Sequence, residues 1–151
     1  MKKTQLILLI FISTLILSSC SSDDNSNSIS IVGIWKPIAE VDVCSTGSEE
    51  TYNYSTCEQL SRTTFSSNGT LNISEFDDNT GDCIEDYNVN GTWVLNGGNL
   101  SATLEGETIN PTFFELTDNT LRIGYYDNDA NDPCDGGNLP SHYYTEFTRV
   151  E

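Results

Sequence analysis

From Ile31 onward the chain breaks into short runs of alternating apolar and polar residues, cut by turn residues, with no helical period. The clearest run is Tyr87-Asn88-Val89-Asn90-Gly91-Thr92-Trp93-Val94-Leu95. Tyr87, Val89, Trp93 and Leu95 fall on one side, and Asn88, Asn90 and Thr92 on the other. A period of two marks a half-buried strand. Leu71 and Ile73 repeat the pattern, as do Leu100, Ala102 and Leu104, and Leu121, Ile123 and Tyr125. Eight strands are predicted, over residues 33–43, 59–66, 70–76, 87–95, 100–104, 109–117, 120–126 and 142–150.

The connections alternate in length. Ser67-Asn68-Gly69, Asn96-Gly97-Gly98-Asn99 and Asp118-Asn119 are tight turns, in which Asn and Gly accept a positive φ. All three fall at one end of an up-and-down arrangement. The longer connections, 44–58, 77–86, 105–108 and 127–141, all fall at the other. The expected fold is all-β, an eight-stranded antiparallel up-and-down barrel shaped as a cup. A barrel of eight strands is either filled by side chains or holds one small ligand.

The first thirty residues follow different rules. Lys2 and Lys3 give a positive start, residues 4–17 carry no charge, and Leu17-Ser18-Ser19-Cys20 closes the run. Fourteen uncharged residues suit a signal-peptide core and fall short of a membrane span. The segment resembles a bacterial lipoprotein signal, which implies a lipid on Cys20. Residues 21–30 are small and polar, a flexible tether. The expected division is signal peptide 1–19, lipidated Cys20 and linker 20–30, and barrel domain 31–151. The resemblance implies an outer-membrane lipoprotein facing the periplasm or the cell surface. Asp23 and Asp24 resemble the acidic export signal of Bacteroidetes surface lipoproteins.

Once Lys2 and Lys3 are removed, four basic residues stand against 23 acidic ones. Such a surface repels nucleic acid and anionic headgroups, so the lipid must hold the membrane contact. Cys44, Cys57, Cys83 and Cys134 are an even set in an exported chain and read as two disulfides. They form no CxxC pair, and His142 is the single histidine, so no zinc site is expected. All four lie at the long-loop end. Extending the expected strand registers pairs Cys44 with Cys134 and Cys57 with Cys83. Cys44–Cys57 with Cys83–Cys134 is the alternative.

Gly33-Ile34-Trp35 at the start of the first strand resembles the Gly-x-Trp motif of lipocalins. Asn90-Gly91-Thr92-Trp93 and Phe147-Thr148-Arg149-Val150 resemble segments of the small lipocalin-like domains of Bacteroidetes lipoproteins. The resemblance implies a barrel closed by Gly33, Trp35 and Arg149, with the guanidinium across the indole. It also implies an apolar or amphipathic ligand, for which Tyr87, Trp93, Phe113, Tyr125 and Tyr143 are candidate contacts. The alternative is a filled barrel whose acidic loop rim binds protein, glycan or calcium. The segment 127–138 begins like a calcium loop but has Asp132 for the required Gly and Asn138 for the closing Glu. No metal, cofactor or catalytic residue is expected, and the protein is expected to be a monomer.

Overall fold

The computed structural model describes residues 29–127 and 136–150. Cys20, Cys134, the signal segment and most of the tether lie outside the described residues. The described chain forms β1 (Gly33–Val43), β2 (Glu49–Asn53), β3 (Arg62–Phe65), β4 (Thr70–Asp77) and β5 (Ile84–Asn96). It continues through β6 (Asn99–Leu104), β7 (Glu107–Ile109), β8 (Phe113–Leu116), β9 (Thr120–Tyr126) and β10 (His142–Arg149). A single 3-10 turn, Glu58–Leu60, precedes β3. The fold is all-β, as the alternating runs require. The sheet is antiparallel, in the order β7-β6-β5-β4-β3-β1-β10-β9-β8, with β2 added to β1.

The strand count corrects the expected eight. The run 109–117 is two strands rather than one. β7 pairs back onto β6, with Ile109 opposite Ala102, while β8 pairs onto β9, with Phe113 opposite Gly124. Pro111 stands between them, and its ring nitrogen has no hydrogen to give a ladder. β7 and β8 end the sheet order yet are nearly adjacent in sequence. The sheet therefore curls, and residues 110–112 carry the chain across the seam. β2 lies inside the expected loop 44–58. The expected loop 105–108 shrinks to a two-residue turn, with Glu105 and Gly106 at φ 51° and 91°.

β1 departs from regular alternation, and this shapes the interior. Its ladder with β10 starts at Trp35 opposite Arg149, while Gly33 pairs with Phe65 of β3. The register then slips between Pro37 and Ala39. Below the slip, Trp35 and Pro37 share a face with Phe147 and Arg149. Above it, Glu40 and Asp42 share that face with Thr145 and Tyr143, because a bulge moves every later side chain to the opposite side. Ala39 and Val41 are turned outward, where they pack with Phe113 and Tyr144 in a separate buried cluster.

The main core lies at the tight-turn end. Ile31, Trp35, Phe65, Leu71, Leu100, Ala102 and Leu121 form it. Trp35 and Leu121 have no solvent exposure at all.

Candidate ligand-binding site

The closed end is built on Trp35. Its Nε1 donates to the Ile31 carbonyl at 2.8 Å. The Arg149 guanidinium lies 4.2 Å from the centre of the Trp35 ring. Arg149 Nε donates to the Asp118 carbonyl at 2.6 Å and Nη1 to the Val32 carbonyl at 2.7 Å. Nη2 donates to the Ser30 carbonyl. One side chain thus ties the entry to β1, the end of β10 and the β8–β9 turn together over the indole. A cation over an aromatic face contributes about 0.5–2 kcal/mol, more when desolvated.

Above this floor lies a cavity of about 660 Å³. Leu71, Ile73, Leu100, Ala102, Leu104, Ile123 and Phe147 give it apolar walls. Glu40, Asp42, Glu75, Tyr125 and Tyr143 sit nearer the long-loop end. The volume lies within the range of small-molecule pockets, about 300–1,000 Å³. The interior is therefore not filled by its aromatics. A second, more polar cavity of about 380 Å³ adjoins it. The two share Glu40, Thr63, Ile73, Glu75, Thr145 and Phe147. The smaller one opens where β1 leaves β3 after Trp35 to pair with β2, and it is lined by Tyr54, Glu58, Asp77 and Asp86.

Two of the five expected contacts, Tyr125 and Tyr143, line the larger cavity, their rings 5.7 Å apart. The other three do not. Trp93 packs edge-on against Phe65 at 5.5 Å, and its Nε1 donates to the Ser66 carbonyl at 3.1 Å. Tyr87 lies outside the lining, its hydroxyl 3.5 Å from Glu105. Phe113 faces outward, stacked on His142 at 4.4 Å and Tyr144 at 5.1 Å. The break at Pro111 resets its face. The carboxylates of Glu40, Asp42 and Glu75 are the site residues that sequence reasoning missed. The signal for two of them was Pro37, which marks the slip that turns Glu40 and Asp42 inward.

The acidic groups perturb one another. Burial raises the Glu75 carboxyl above the usual carboxylate range, and the charge of Asp86 adds to the effect. Burial pushes the Tyr54 hydroxyl up to about 12, with the Glu40 charge next in weight. A carboxyl raised in the folded state contributes stability at low pH that is lost as pH rises through its folded value. Glu75→Gln is therefore expected to stabilise the domain at pH 7. The gain should vanish near pH 4, below the unfolded value. Urea denaturation of both proteins at the two pH values checks this.

At the rim, Cys57 and Cys83 are joined by a disulfide, with Cα atoms 5.6 Å apart. This is the second expected bridge, and it removes the alternative pairing of Cys44 with Cys57. Cys44 is itself disulfide-bonded. Its expected partner, Cys134, lies outside the described residues, as does most of the segment 127–138. No helix among the described residues is long and apolar enough to cross a membrane.

The sequence profile of the lipocalin-like domain family matches residues 31–123, from the strap before Trp35 to the middle of β9. The chain belongs to the lipocalin-like domain family. A solved lipocalin-like protein from Bacteroides uniformis is similar to this lipocalin-like domain at 12% identity and a TM-score of 0.46. That match covers 78% of this chain and 96% of the other. No curated protein matches the chain.

Proposed function

We propose that this lipocalin-like domain is a membrane-anchored binding protein that takes a small amphipathic ligand into its barrel. The cavity of about 660 Å³ carries the reading. It has apolar walls below and polar groups above, and an apolar ligand portion gains roughly 25 cal/mol per Å² withdrawn from water. The same cavity favours this reading over a filled barrel. Binding rather than catalysis is the better reading, because the one histidine, His142, is stacked on Phe113 outside the cavity. The anchor is assigned to Cys20 on the strength of the segment that precedes it.

The neutral fluorophore N-phenyl-1-naphthylamine tests the cavity. Its emission should rise and shift to the blue on mixing with the protein. Ala102→Trp places an indole among the lining residues and should weaken that binding about tenfold or more. Unchanged binding would move the ligand site elsewhere. For the anchor, Cys20→Ser should shift the protein from the membrane to the soluble fraction of its host.

A further inference from the structure

The charge of the cavity says which amphipathic ligand suits it, and this rests on the binding reading above. Every charged side chain that lines either cavity is a carboxylate. Glu40 and Glu75 line both, and Asp42 stands opposite Tyr143 in the β1–β10 ladder.

The chain's own cations are committed elsewhere. Lys36 Nζ reaches Gln59 at 3.4 Å, and Arg62 donates to the Gln59 and Ser61 carbonyls at 2.9 and 2.6 Å. Arg122 is held by Glu146 at 2.7 Å and Glu115 at 3.1 Å, and Arg149 lies across Trp35. The only other basic residues are Lys2 and Lys3. No basic side chain lines either cavity. Glu40, Asp42 and Glu75 keep contact with solvent where the cavity opens, and like charges gathered there without a counter-charge attract a cation. No group of three Cys, His, Asp or Glu side chains among the described residues converges closely enough to hold a metal ion. An organic cation fits the wider spacing, and the paired rings of Tyr125 and Tyr143 give it an aromatic face.

We propose that the ligand is an amphipathic cation, its apolar tail lying among Leu71, Leu100, Leu104 and Ile123 and its protonated amine between Glu40 and Glu75. Tyr54 lines the smaller cavity beside Glu40, whose charge helps to raise its hydroxyl.

Three probes with one tail isolate the head group: decylamine, decanol and decanoate, titrated by calorimetry below their aggregation thresholds. Decylamine should bind about tenfold or more tighter than decanol, and decanoate weaker than either. Glu75→Gln and Glu40→Gln should each weaken decylamine about fivefold to tenfold and leave decanol within about twofold. Because Glu75→Gln is expected to be more stable than the parent, loss of binding in it is not loss of fold. Equal binding of all three probes overturns the cationic assignment and leaves the cavity reading standing. So does decylamine binding that neither substitution weakens. Binding of none of them overturns the cavity reading itself.

Discussion

Trp35→Ala is expected to destabilise the domain by about 3–5 kcal/mol, as deletion of a fully buried aromatic side chain does. The residue has no exposure. Its removal would open a void beneath Leu121 and Phe65 and leave the Ile31 carbonyl without its donor. It would also strip Arg149 of the ring it lies across. Against a typical total of about 5–15 kcal/mol, this is a large fraction of the stability. Urea denaturation should show a lower midpoint. Arg149→Lys is expected to cost less, about 2 kcal/mol, because an ammonium cannot reach three carbonyls from one planar fork. A Trp35→Ala cost below 1 kcal/mol would mean that this end is not where the barrel is held shut.

Much of this architecture was legible because burial is periodic in a strand. Leu121, Ile123 and Tyr125 point inward, as their spacing says. The turns were legible for a different reason: Gly69, Gly97 and Gly98 all carry the positive φ that their positions imply. The gaps have physical causes. β2 reads Glu49-Glu50-Thr51-Tyr52-Asn53 and is exposed throughout, so no apolar period announces it. Its partner is simply the half of β1 that β3 has left. Pro37 and Pro111 remove ladder donors, and side-chain direction beyond each depends on a shift that no alternation pattern carries. The consequences are opposite in kind. Beyond Pro37, Glu40 and Asp42 turn toward the cavity. Beyond Pro111, Phe113 turns away from it. Two acidic residues of the expected loop rim, Glu40 and Asp42, thus line the larger cavity.

Removing the Cys57–Cys83 bridge should be the next most damaging change. The cysteines are 26 residues apart, and closing a loop of that length in the unfolded chain is worth about 3 kcal/mol. Cys57→Ala with Cys83→Ala is therefore expected to lower the melting temperature by about 10 °C. The effect should also be local. Cys57 immediately precedes the 3-10 turn, and Cys83 immediately precedes β5, so the bridge ties together two segments that bring Glu58 and Asp86 to the smaller cavity. Without it, residues 78–82 should become the first site of proteolytic cleavage. Reductant added to the parent protein should lower stability further than the double substitution does, because Cys44 is disulfide-bonded as well. A double variant with unchanged melting temperature would show that the ladder of β3, β4 and β5 holds this rim without a covalent tie.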